Sequence, residues 1–260
     1  MKNIISIDFF WGAAFAADKD GNIWFWGNYG TYLGPPDIDT NVTTPIKVAF
    51  LKNIKSISVW NLKVQLLTKD GHVWFMYMDQ YSTHVNSGPT QYAGIDEIIS
   101  IHKFLALRKD GKIFSLGTND NPDNLAGNVI MIQSTQFRQV FLKDDGTVWA
   151  EGKNDLGQLG NGTFNDSSEL TKVINLNNII AISSNYDYNL ALKKDGTIWF
   201  WGFEKQEGDS LIGRNIPLKI DGLEDIVLIY TGPECLVMKK DGTYWTFSAS
   251  DKISKQVQLY

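Results

Sequence analysis

Apolar and polar residues alternate in short bursts along this chain, and the bursts recur. Phe15 and Ala17, Leu105 and Leu107, Val140 and Leu142, Leu190 and Leu192, and Leu236 and Met238 are spaced by two. That is the period of a half-buried strand. Each burst runs into an Asp-Gly pair, an aliphatic residue two positions on, and then an aromatic. The six copies are Asp20-Gly21-Asn-Ile-Trp24, Asp70-Gly71-His-Val-Trp74, Asp110-Gly111-Lys-Ile-Phe114, Asp145-Gly146-Thr-Val-Trp149, Asp195-Gly196-Thr-Ile-Trp199 and Asp241-Gly242-Thr-Tyr-Trp245. Asp-Gly between two such runs predicts a hairpin, here expected as a type I′ turn. The returning strand often ends on a glycine, as at Gly27, Gly117, Gly152 and Gly202.

A further aliphatic stands fourteen residues before most turn glycines: Ile7, Ile57, Ile132, Ile182 and Leu228. It closes another strand, often begun by a Pro-x-Lys-aliphatic phrase such as Pro45-Ile-Lys-Val48 or Pro217-Leu-Lys-Ile220, with Leu170-Thr-Lys-Val173 as a variant. In the third copy Ile101 lies only ten residues before Gly111, so its loop is shorter. The turn-to-turn intervals are 50, 40, 35, 50 and 46 residues, and passing from Asp241 through Tyr260 to Asp20 takes 39 more. The C-terminal Ser254-Lys-Gln-Val257 run continued into Met1–Ile7 lines up with Pro45–Ile57. The expectation is an all-β chain: a six-bladed β-propeller closed by pairing of C-terminal and N-terminal strands, one domain over residues 1–260. No unit of this size buries its apolar face without its neighbours.

Strand, Lys-Asp-Gly-Thr-aliphatic-Trp and glycine, together with Asn154-Asp-Leu-Gly157-Gln158-Leu159-Gly160-Asn-Gly162, resemble the regulator-of-chromosome-condensation repeat family of β-propellers. The resemblance runs over essentially the whole chain. Two departures stand out. The founding members have seven blades where six are counted here, and a histidine frequent eight residues before the turn glycine is replaced by Ala13, Lys63, Lys103, Arg138, Tyr188 and Glu234. The founder's nucleotide-exchange and chromatin roles are therefore not carried over. In repeat and aromatic loops the chain is closer to the compact bacterial beta-lactamase inhibitory protein II branch, which implies protein binding through loops on one face.

Those loops follow the strand that ends fourteen residues before each turn, and there the copies stop resembling one another. Variable residues on a repeated frame mark a recognition surface. The candidate partner-binding residues are Phe9, Trp11, Trp60, Lys63, Phe137, Arg138, Tyr186, Asp187, Tyr188, Tyr230 and Glu234. Aromatics on rigid loops are good interface anchors; the competing assignment turns some of them inward. The repeat's own Trp24, Trp74, Trp149, Trp199 and Trp245 are expected in the core, with Trp26 and Trp201 between blades.

Charge and composition narrow the partner. Net charge is -5 with no basic run, so a phosphate backbone is disfavoured, as is an anionic membrane. The single cysteine, Cys235, excludes an internal disulfide. His72, His84 and His102 fall at unrelated places in the repeats, and there is no nucleophile elbow, phosphate loop or metal-ligand spacing. Met1–Ala17 has the outline of a signal peptide, but Asp8 interrupts its apolar run and the segment fits the repeat register. The expectation is a non-catalytic, monomeric, cofactor-free protein, cytoplasmic by default, that binds another protein, with inhibition of a β-lactamase-like enzyme as one form. A carbohydrate-binding propeller and an enzyme with a site in the central channel are the alternatives.

Overall fold

The computed structural model describes residues 3–10, 12–28, 41–48, 51–60, 63–77, 89–116, 128–207, 210–232, 234–247 and 255–257. Every regular element among them is a strand, and the chain divides into two compact units, Met1–Asp123 and Asn124–Tyr260. In the first unit, β1 (Ile4–Phe10), β2 (Ala13–Asp18), β3 (Ile23–Asn28) and β4 (Asn41–Val48) form one sheet. A second holds β5 (Ile54–Trp60), β6 (Lys63–Thr68), β7 (Val73–Tyr77) and β8 (Thr90–Gln91), and a three-stranded third holds β9 (Ile98–His102), β10 (Leu105–Arg108) and β11 (Ile113–Ser115).

The second unit repeats the plan. Its sheets are β12 (Val129–Ser134), β13 (Arg138–Lys143), β14 (Val148–Gly152) and β15 (Ser167–Lys172); β16 (Ile179–Ser184), β17 (Tyr188–Lys193), β18 (Ile198–Glu207) and β19 (Ser210–Lys219); and β20 (Ile226–Thr231), β21 (Cys235–Lys239), β22 (Tyr244–Phe247) and β23 (Lys255–Val257). Strands pair antiparallel in chain order within every sheet. Six small sheets of this kind are the blades of a six-bladed β-propeller.

The Asp-Gly turn differs from the expected type I′. In all six copies the glycine N–H donates to the carbonyl three residues back, as Gly146 does to Lys143 at 3.0 Å, and that residue's N–H donates to the carbonyl just past the glycine. Only the glycine has positive φ; the aspartate does not. This is a type I turn on Lys-Asp, or its equivalent, closed by a left-handed glycine bulge. The aspartate caps it: Asp145 Oδ1 accepts from the Thr147 N–H and hydroxyl at 2.9 and 2.6 Å, and Asp195 and Asp241 do the same.

The turn glycine also links one sheet to the next. Its carbonyl accepts from the first strand of the following sheet: Gly21 from Ile54, Gly71 from Ile98, Gly146 from Ile179 and Gly196 from Ile226, at 3.0–3.3 Å. A Cβ on Gly21 would stand 2.6 Å from the Asn53 Cα. Positive φ and this close backbone approach together make the position one for glycine. Just ahead of each first strand one residue takes the left-handed region (Asn3, Asn53, Glu97, Asn128, Asn178 and Asp225), and its carbonyl accepts from the turn of its own sheet. Asn and Asp tolerate that region best among residues with a side chain.

Three further expectations are revised. The Pro-x-Lys-aliphatic arm is not the start of the strand that follows it; it is the last strand of the sheet before it, with Lys47 opposite Trp24, Lys172 opposite Trp149 and Lys219 opposite Trp199. Sheet boundaries therefore fall between arm and first strand. In consequence the terminal strands do not pair with each other among the described residues: β1 pairs with β2, and β23 lies on β22 with Gln256 opposite Trp245. In the sixth sheet the register residue matching Ile182 is Ile229, one beyond Leu228, because that loop is one residue shorter.

Within each unit the core lies between successive sheets. Phe15, Ala17, Ile23 and Phe25 of the first sheet pack with Ile57, Val64 and Leu66 of the second; Val140, Leu142 and Val148 pack with Ile182, Ala191 and Trp201. The repeat tryptophans lie at its edge and not in its centre as expected: Trp24, Trp74, Trp149, Trp199 and Trp245 are half-buried, and Trp74, Trp199 and Trp245 pack against the core clusters. They stand on the opposite face from the aliphatic before them. Trp149 and Trp245 donate Nε1–H to Thr147 and Thr243, and Lys143, Lys193 and Lys239 lie over the rings of Trp149, Trp199 and Trp245 at 4.8, 6.0 and 4.6 Å. Trp201 is the fully buried one among the described tryptophans, with its Nε1–H on the Gln158 carbonyl at 2.9 Å.

Candidate recognition loops

In the second unit three loops, each joining the first two strands of a sheet, are tied in series. Arg138 is 3% exposed, and its guanidinium points into the neighbouring loop. It donates to the Asn185 and Tyr186 carbonyls at 2.7 and 3.3 Å and to Asn189 Oδ1 at 3.3 Å. Burial draws its pKa down to about 10, opposed by Asp187 and Asp155, so it stays cationic at neutral pH. From that loop Asn185 Nδ2 and the Tyr188 hydroxyl both donate to the Gly232 carbonyl, at 3.1 and 2.6 Å. Asn185 Oδ1 meanwhile accepts from the N–H of Asp187 and of Tyr188.

Each of the first two loops also rests on a strand glycine. Gly152 and Gly202 have φ of 105° and 102°, and a Cβ on either would stand 2.1 Å from the Phe137 carbonyl oxygen or 2.5 Å from that of Asp187. The residues after these glycines, Lys153 and Phe203, donate to the same carbonyls. On the frame so built, Phe137 is 58% and Tyr186 46% exposed, and Asp187 and Glu234 are exposed beside them in sequence and loop. Arg138 and Tyr188 face inward and brace the loops. Tyr230 is exposed, but it sits on β20 at the register position of Ser183, whose Oγ accepts from the Thr231 N–H of the next sheet.

Asn154, Gln158 and Asn189 belong to this frame and were not among the expected site residues. Asn154 is fully buried; its Nδ2 donates to the Thr163 and Asn165 carbonyls and its Oδ1 accepts from Leu159. The Gln158 carbonyl takes Asn189 Nδ2 at 2.9 Å as well as Trp201. The Gly-Gln-Leu-Gly phrase that contains Gln158 was the available signal. Its use is to anchor one sheet's outer loop on the next sheet's Trp201 and, through Asn189, on Arg138.

The first unit treats its candidates differently. Phe9 lies on β1, not on a loop tip, and is 57% exposed; Trp11 lies outside the described residues. Trp60 is half-buried, edge-on to Phe104 at 5.2 Å with the Lys103 ammonium 5.3 Å from its ring. The Lys63 ammonium sits 4.3, 4.9 and 5.4 Å from the rings of Phe75, Tyr92 and Tyr77. Asp8 stitches β1 to β5: Oδ2 accepts from the Val59 N–H at 2.8 Å, and burial raises its pKa against the opposing pull of these hydrogen bonds. Burial pushes His102 down to about 3, so it is neutral near pH 7. Among the described residues no three His, Cys, Asp or Glu side chains converge as metal ligands.

This is the class of propeller in which a constant blade frame carries irregular loops. Residues 145–192, in the fourth and fifth sheets, match the family model of the regulator of chromosome condensation (RCC1) repeat. Among solved structures it is similar to a chain of the crystal structure of Kap60 bound to yeast RCC1 (Prp20), at 14% identity and a TM-score of 0.74 over 98% of this chain and 75% of that one. Prp20p from Saccharomyces cerevisiae, described with its binding to Gsp1p and histones, gives 16% identity and a TM-score of 0.73 over 98% and 77%. Human WBSCR16 gives 20% identity and 0.52 over 98% and 66%. At these identities the likeness is one of fold. No curated protein matches the chain.

Proposed function

We propose that the chain is a non-catalytic propeller that binds another protein through the loops of its second unit. Phe137 and Tyr186 are the anchors, Asp187 and Glu234 flank them, and Arg138 and Tyr188 support them from below. The observation that carries this is the Arg138–Asn185–Tyr188–Gly232 series of hydrogen bonds under exposed aromatics. Exposed rings on loops already fixed bind without the entropy cost of ordering them. The similarity in fold to yeast RCC1 (Prp20), seen bound to Kap60 and described as binding Gsp1p and histones, supports the reading. Inhibition of a class A β-lactamase is its most specific form and the first to assay.

Partner capture from the producing cell, followed by calorimetry on the purified pair, tests it. Phe137→Ala and Tyr186→Ala should each weaken binding by about 2 kcal/mol, roughly thirtyfold. A captured partner whose affinity neither change alters would place the interface elsewhere.

A further inference from the structure

The second sheet departs from the repeat at one place. On β6 and β7 Lys63 stands opposite Tyr77 and Gln65 opposite Phe75, so the four side chains share one face. The pair equivalent to Lys63–Tyr77 is Ala13–Gly27 in the first sheet, Arg138–Gly152 in the fourth and Tyr188–Gly202 in the fifth. The frame uses glycine where the second sheet has Tyr77. With Phe75 and Tyr92 that ring makes an aromatic cage: Phe75 and Tyr92 have centroids 4.6 Å apart, and Phe75 and Tyr77 meet edge-on at 5.6 Å.

The cage holds a cation, the Lys63 ammonium, whose described partners are the three ring faces and the Leu116 carbonyl at 3.3 Å. The Tyr92 hydroxyl donates to the same carbonyl at 2.7 Å and is fixed by it. Gln65 Oε1 on the same face is buried and has no hydrogen-bond partner among the described residues. Among the described residues one wall is open, since Tyr77 is 42% exposed and Lys63 only half-buried. Burial lowers the Lys63 pKa, because a strongly hydrated ammonium loses more water here than the cage replaces. An ammonium carrying methyl groups is more weakly hydrated and meets the same ring faces, the chemistry by which aromatic cages take choline-like cations.

We propose that the Phe75–Tyr77–Tyr92 cage is a binding site for a methylated ammonium ion, with Lys63 as the resident cation that the ligand displaces. The Lys63 stem swings to solvent through the open wall, and the ligand's charge replaces its own.

The test titrates tetramethylammonium chloride into the full chain, with sodium chloride as control, following ring resonances by NMR and tyrosine and tryptophan emission. The wild-type chain should show saturable, weak binding that sodium does not imitate. Lys63→Ala should tighten it about tenfold by removing the competitor, and adding Tyr77→Leu should abolish it. A Lys63→Ala chain with native circular dichroism that binds tetramethylammonium no better than sodium overturns the proposal. Should that variant not fold, Tyr77→Leu alone decides: loss of the wild-type binding supports the site and unchanged binding refutes it. Choline and a trimethyllysine peptide, compared at the same site, separate a small-molecule source from a protein one.

Discussion

Ile57 and Val59 on β5 and Ile7 and Phe9 on β1 hold the same register positions in consecutive sheets. Ile57 and Val59 are 5% and 2% exposed, whereas Ile7 and Phe9 are 59% and 57% exposed. The strands are alike; what differs is that β5 has the first sheet before it in the chain and packs on Phe15 and Phe25. The turn glycines repeat the contrast. A Cβ on Gly146 would stand 3.0 Å from the Asn178 Cα of the next sheet, while one on Gly242, in the sixth sheet, has nothing within 4 Å. A blade position is therefore core only by virtue of an adjacent blade, as expected when each repeat is stabilised through its neighbour interfaces.

Substitutions across this contrast can break it. Ile57→Ala should have the largest effect, a loss of about 2–5 kcal/mol in urea unfolding. Gly146→Ala should follow at about 2–4 kcal/mol, from left-handed strain plus displacement of the Asn178 backbone; Gly242→Ala, with the strain alone, should cost about 1–2 kcal/mol. Ile7→Ala should fall within about 1 kcal/mol. Equal losses for Ile7→Ala and Ile57→Ala, or for the two glycines, would show that the neighbour contacts seen here do not set what these positions contribute.

A smaller effect sharpens the first sheet's individuality. Asp18 stands where the other turns have Thr68, Arg108, Lys143, Lys193 and Lys239. Desolvation acts to raise its pKa, but hydrogen bonds from Trp24 Nε1, the Asn22 side chain and N–H, and the Asp20 N–H outweigh it and hold it at about 2, below the ordinary 3.8. A depressed folded-state pKa gives stability that is complete above the unfolded value and is lost as pH falls toward the folded one. Thermal melts between about pH 4 and pH 2 should therefore show a loss that Asp18→Ala removes. An unchanged pH slope in that variant would assign the loss to other carboxylates.

Much of the frame was legible along the chain because it rests on local chemistry. Period-two alternation placed the strands, and six Asp-Gly phrases counted the sheets. What escaped was set by pairing. Spacing alone could not say that Pro45–Val48 and Pro217–Ile220 lie on the strands before them, nor that a one-residue deletion moves the sixth register to Ile229, because antiparallel partners are chosen across space. The tryptophans were placed too deep for a related reason: alternation gives two faces but does not say how far each one is covered by a neighbouring sheet.

Among the candidate site residues, residue type was a poor guide to orientation. Arg138 and Lys63 are both cations at equivalent positions after the first strand. One is buried and ties its own loop to the next one in the second unit; the other fills an aromatic cage in the first. By itself the sequence determined the all-β class, the number of blades, the glycines at the turns and the place where the copies diverge, since these follow from backbone sterics and side-chain period within a few residues. Only the tertiary structure decided which divergent side chains face outward, because a buried guanidinium or ammonium is held by carbonyls and rings brought to it from distant parts of the sequence.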